Sequence, residues 1–166
     1  KKVPELLAGP HIGPQHYHSL TSDLLLSLML LGRSLEAERV GLEALERMPD
    51  SLDFLYYVGG FYLDTNRPSR AIPILQRFLQ IKKHTREQGP EFHLMVYDQY
   101  EHEGDVWHRL GLCYNMLNDY VNAIRCFQQA VRCNPDDEAS FHNIARLAQF
   151  MQQGGHRRAE PEREPA

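Results

Sequence analysis

The sequence has no apolar run long enough to cross a bilayer. Its longest, "LLLSLMLL" at 24–31, spans eight residues against the ~20 a membrane helix needs, and it fits a buried helix. Basic charge is not in excess either. Eighteen Lys and Arg face 22 Asp and Glu, for a formal charge of −4, so the electrostatic footprint of a nucleic-acid binder is missing. Only three cysteines occur, Cys113, Cys126 and Cys133. Three cannot all pair, and each sits in an apolar helical pattern, so they read as reduced thiols packed as small hydrophobes. That points to a reducing, cytoplasmic compartment. The short motifs of catalysis and metal binding are missing as well: there is no GxSxG, phosphate loop, GxGxxG, CxxC or HExxH. His11, His16 and His18 cluster in "HIGPQHYH", but without the ligand number and spacing of a zinc site. The expectation is a non-catalytic chain with no cofactor and no metal. The chain opens on Lys1 rather than Met, which suggests a piece of a longer one.

What is present is a globular composition, 42% apolar over 166 residues, and a period. With Trp107 at position 4 of a 34-residue frame, Leu110 falls at 7, Gly111 at 8, Tyr114 at 11, Ala123 at 20, Phe127 at 24, Ala130 at 27 and Pro135 at 32. An earlier copy places Leu55, Val58, Gly59, Tyr62, Ala71, Leu75 and Phe78 at 4, 7, 8, 11, 20, 24 and 27. The first copy is degenerate: Leu24, Leu28, Ala37, Ala44 and Pro49 keep the frame, but Leu25 stands at the glycine position and Gly41 at the large position 24. After the third copy Phe141, Ile144, Ala145 and Ala148 continue the pattern for one helix.

This pattern resembles the tetratricopeptide repeat, whose typed positions these are, over about residues 17–152. The resemblance implies an all-α fold, a right-handed superhelix of antiparallel helix pairs, here three repeats and a capping helix. It also implies a non-catalytic protein-interaction scaffold. Helices are expected at about 17–31, 35–48, 52–65, 69–83, 104–117, 120–133 and 137–152. An extended lead-in is expected at 1–16 and a disordered charged tail at 153–166. A glycine inside a helix costs about 1 kcal/mol. Gly111 facing Ala123, and Gly59 facing Ala71, would repay it by letting paired helices close and bury Trp107, Leu110, Tyr114 and Phe127. Pro73 is a misfit inside the fourth helix, marking either its first turn or a kink.

Between the second and third copies the spacing grows from 34 residues (Ala37 to Ala71) to 52 (Ala71 to Ala123). The insertion lies at about 84–103. Phe92, Val96 and Tyr100 lead toward Trp107 at helical spacing, so either extra helical turns pack on the solenoid edge or the segment forms a flap over the concave face.

In such a solenoid the first helix of each pair lines the concave groove. The frame then gives a peptide-binding groove containing Tyr56, Tyr57, His108, Arg109, Asn115, His142, Asn143 and Arg146. Two tyrosines lie in its middle, and Arg109, His142 and Arg146 form a basic end suited to an acidic side chain or a C-terminal carboxylate. The partner expected is a protein or peptide, with neither nucleic acid nor membrane, and a homodimer stays open. The two-carboxylate clamp known in one subfamily would need basic and amide residues where Ser22, Leu26, Tyr57 and Asp105 stand, and only Arg109 fits it. The order of repeats and the insertion site are also similar to the repeat region that follows bacterial family-2 glycosyltransferase domains. That alternative makes the chain an accessory domain that positions an acceptor or mediates dimerisation.

Overall fold

Besides Gly154 (φ 84°) after the last described helix, three residues in the left-handed region of backbone space punctuate the chain: Gly32 (φ 68°), Asn66 (φ 58°) and Asn118 (φ 60°). All three fall at position 15 of the 34-residue frame. Each ends a helix in the same way. The N–H of Gly32, Asn66 and Asn118 donates to the carbonyl of Met29, Leu63 and Asn115, and the next N–H reaches back to Leu28, Tyr62 and Tyr114 at 2.8–2.9 Å. This six-to-one closure satisfies the last helical carbonyls and reverses the chain. It requires a residue that tolerates positive φ, which glycine and asparagine do.

The computed structural model describes residues 13–88 and 103–154. Among them seven helices follow one another: α1 (Pro14–Leu30), α2 (Ser34–Arg47), α3 (Leu52–Asp64), α4 (Pro68–Gln88), α5 (Glu103–Met116), α6 (Tyr120–Cys133) and α7 (Glu138–Gln152). The pairs α1–α2, α3–α4 and α5–α6 are the three repeats, and α7 caps the last. Side-chain caps start the helices after the tight turns. Ser51 accepts from the Phe54 N–H (3.3 Å), Asp119 from Asn122 (3.2 Å) and Asp137 from Ser140 (3.0 Å), each supplying an acceptor to an otherwise orphaned amide.

Two boundaries differ from the sequence expectation. Helix α1 begins at Pro14, within the lead-in placed at 1–16, because proline at the first helical position needs no N–H partner and is preset in φ. Helix α4 runs on to Gln88 and passes through Pro73 without ending, so the start of the insertion is a continuation of this helix. The insertion's Phe92, Val96 and Tyr100, the rest of the lead-in and the tail beyond Gly154 lie outside the described residues.

The core runs through all three repeats. Leu25, Leu28, Val58, Phe61, Leu75, Phe78, Val106 and Leu110 form one continuous buried cluster. Helix α3 lies at its centre, against α1, α2, α4 and α5. Gly59 and Gly111 do permit close packing, but the residues they clear differ from those expected. A methyl group on Gly111 would lie 2.6 Å from the Phe127 ring, and one on Gly59 would lie 2.5 Å from Leu75. The space is taken by position 24, the large residue one turn beyond Ala123 or Ala71. Burial of a Phe127-sized side chain is worth roughly 1.5–3 kcal/mol, which exceeds the helical cost of the glycine. The first repeat makes the same fit in reverse. Leu25 fills the glycine position and Gly41 stands at 24, where an added methyl would come within 3.6 Å of Leu25 and 2.8 Å of Val58. Its apparent degeneracy conserves volume.

Trp107 and Tyr114 are only half-buried, contrary to expectation. With Leu79 and Leu110 they line an open cavity of about 680 Å³ between α4, α5 and α6. On α7, Phe141 stands where the frame predicts a core residue, yet it is 52% exposed, and Leu147 is the buried contact at 3%. A lone capping helix packs one face on α6, with Ile144 beside Leu147, and leaves Phe141 and Ala145 to solvent.

Candidate peptide-binding groove

Helices α1, α3, α5 and α7 form the side of the solenoid that the frame assigns to a groove. Direct contacts join α1 to α3 and α3 to α5. The centre is built on Tyr56 of α3. Its phenol donates to Asp105 Oδ2 at 2.6 Å, and the Arg109 guanidinium lies over its ring, 4.0 Å from the centroid. Arg109 also donates from Nη2 to the Tyr56 hydroxyl (2.8 Å), from Nη1 to the Tyr56 carbonyl (3.3 Å) and from Nε to Asp105 Oδ2 (2.8 Å). Burial, and next the hydrogen bond to Asp105, push the Tyr56 phenol up to about 12, so it remains a donor at any physiological pH. Gly60 makes the stacking possible, because any side chain there would run into Arg109 Nη1. Tyr57 packs edge-on to Tyr56, centroids 5.8 Å apart.

The structure therefore brings Tyr56, Tyr57 and Arg109 together and adds Asp105 and Gly60. Arg109 is not an open cation: Asp105, one helical turn before it, already faces the guanidinium. Asp105 falls at groove-facing position 2 of its frame; what sequence reasoning missed is its pairing with Arg109, although the i,i+4 spacing was a legible signal.

His108 sits beside this cluster but has a different duty. Its Nδ1 lies 2.7 Å from Ser140 Oγ and 3.7 Å from Asp137 Oδ2, and its ring packs against Phe127. It ties α5 to the start of α7. A second histidine does the same at the other end. Nε2 of His18 lies 3.1 Å from Ser51 Oγ and 3.4 Å from Asp53 Oδ2, tying α1 to the start of α3. In both clusters a single ring nitrogen faces both serine and aspartate. A proton relay needs one on each nitrogen, so these are structural ties. Burial raises the Asp53 carboxyl to about 6 and lowers the His18 imidazole.

His142 and Arg146 are exposed on α7, and Arg146 Nη2 donates to Asn143 Oδ1 at 3.4 Å. Asn115 is half-buried on α5. Among the described residues no cluster of His, Cys, Asp and Glu is arranged to hold a metal ion, and no helix is long and apolar enough to cross a membrane.

With this geometry in hand, residues 104–137 match the tetratricopeptide repeat family. No curated protein matches the chain by sequence. Solved structures do match its fold. The first tetratricopeptide-repeat domain of human RPAP3 superposes with a TM-score of 0.68 at 10% identity, covering 88% of this chain and 100% of that one. The corresponding domain of Arabidopsis OM64 gives 0.67 at 13% identity, covering 82% and 98%. That of Aspergillus fumigatus Sgt2 gives 0.65 at 16% identity, covering 95% and 94%. At these identities the likeness is one of fold.

Proposed function

Because the chain is a tetratricopeptide-repeat solenoid, a fold whose general role is non-catalytic protein interaction, we propose that it is a scaffold holding a peptide or partner segment along α1, α3, α5 and α7. The observation that carries this is the guanidinium of Arg109, held over the Tyr56 ring and against Gly60. Arg and Tyr are the side chains that most often anchor interfaces, and here both are pre-ordered before any partner arrives, which lowers the entropic cost of binding. Tyr57 and Asn115 extend the surface on either side, and His108 holds the α5 wall in register with α7. Asp105 occupies Arg109, so the place for an acidic side chain or C-terminal carboxylate is the face of the cap where His142 and Arg146 are exposed beside the half-buried Asn143. Burial pushes the Cys113 and Cys126 thiols up to about 12 and about 11. They are therefore protonated near neutral pH, whereas Cys133 is exposed rather than packed as a small hydrophobe.

The test is affinity capture with the wild-type chain and with Arg109→Glu/Arg146→Glu, alongside circular dichroism. The double variant should lose the captured partner and keep its helicity. A partner retained equally by both proteins would sink the groove assignment.

A further inference from the structure

Among the described residues ten large apolar side chains are exposed, and seven of them share one edge of the solenoid. The edge is where α1, α3, α5 and α7 end and α2, α4 and α6 begin. Its continuity is visible in two contacts. Glu38 near the start of α2 pairs with Arg67 and Arg70 at the start of α4 (2.7 and 2.8 Å) and accepts from Tyr62 near the end of α3. Tyr120 at the start of α6 packs on Phe150 near the end of α7, centroids 5.2 Å apart. At one end of this edge stand Leu30, Leu31 and Leu35, exposed by 89%, 71% and 85%. At the other stand Met116, Leu117, Val121 and Phe150. The Glu38 network lies between them.

Scattered exposed leucines need no explanation, but clusters do. These clusters continue the groove, since Leu30, Met116 and Phe150 occupy the groove-facing position 13 of their helices. The polar side of the same surface is acidic. Helices α1 and α3 carry the exposed Asp23 and Asp64 and no lysine or arginine, while the cations of the edge, Arg33, Arg67 and Arg70, are held by Glu36 and Glu38, and Arg109 is matched by Asp105. We propose that this edge is the apolar half of a docking surface for an amphipathic segment of another protein. That segment would bear large aliphatic or aromatic side chains on one face and lysine or arginine on the other. The inference rests on the groove reading for its polar half. It differs from that reading in what it says of the partner: two apolar anchors and a cationic flank over the first two repeats.

The probe is a synthetic amphipathic leucine–lysine peptide about 18 residues long, five helical turns, with fluorescence anisotropy as readout and a leucine–glutamate counterpart as control. The wild-type chain should bind the lysine peptide at least about tenfold more tightly than the glutamate one. Leu30→Ser/Leu31→Ser and Met116→Ser/Leu117→Ser should each weaken that binding about tenfold. All four side chains are exposed, so folding should be unaffected, as circular dichroism will show. Equal binding by the two peptides, or by wild type and both variants, overturns the inference. So does sedimentation showing that the wild type self-associates and these variants do not, which would assign the edge to a second copy of the chain. If Arg109→Glu/Arg146→Glu releases the captured partner while the edge variants bind the peptide normally, the edge inference fails and the groove reading stands. The converse result sinks the groove reading alone.

Discussion

At the scale of single residues, polar side chains here tie elements together at some cost. Asp53 is the clearest case. Burial raises its carboxyl to about 6 from the 3.8 of a free aspartate, so the folded state holds the proton more tightly than the unfolded chain does. Its contribution to stability is complete below about pH 4 and is lost as the pH rises through about 6. Near neutrality the buried charge is a burden, moderated by its place in the first turn of α3, where the helix dipole favours an anion. His18 runs the opposite way. Burial lowers its pKa, so its contribution is complete above about 6.5 and declines as the pH falls. Asp53→Asn should therefore stabilise the chain by about 1 kcal/mol at pH 7, a Tm rise of roughly 2–4 °C, and by nothing below pH 4. Thermal melts of both proteins across that range are decisive, and a gain that persists at pH 3.5 would show that the buried charge is not its source.

Among elements, the deciding relation is the fit between position 8 of one helix and position 24 of its partner. Gly111→Ala puts a methyl into the Phe127 ring, and overpacking of this kind costs about 1–3 kcal/mol, against a gain of about 1 kcal/mol in helix propensity. The expected net loss is about 1 kcal/mol in urea denaturation. In a Phe127→Leu background the same alanine should cost less, a coupling of roughly 1 kcal/mol. If alanine stabilises the wild-type chain, the glycine is not there to clear the ring. The helices themselves were legible in the sequence because their determinants are local and repeated: small and large apolar residues at fixed offsets, and Gly32, Asn66 and Asn118 at one turn position. The choice of Phe127 over Ala123 as the residue facing Gly111 was not, because periodicity reports which face of a helix is buried, not the rotation that sets one side chain against another.

For the molecule as a whole, the groove was legible only as a list of positions. Which groove side chains meet depends on neighbours far along the chain: Tyr56 reaches Asp105 and Arg109 across 49 and 53 residues. The i,i+4 spacing of Asp105 and Arg109 is a local signal for their pairing, but no local pattern states that the pair will close over Tyr56. The same nearest-neighbour construction governs stability. Helix α3 is held by α1, α2, α4 and α5, whereas α7 rests mainly on α6, through Leu147 against Ala123 and Phe127. In a stack where each unit touches only those beside it, opening is graded by position. Amides of α3 should exchange with solvent slowest and those of α7 fastest. Leu147→Ala removes the buried anchor of the cap, at a cost of about 2–4 kcal/mol. Native-state hydrogen exchange on this variant should show protection lost in α7 and α6 and kept in α3. Equal loss in α3 would mean that the chain opens as one unit and that α7 is part of the central core. Loss confined to the end would mean that the cap, which carries His142 and Arg146, can detach from the rest. The affinity of any partner held by that face would then fall in proportion to the population of the opened state.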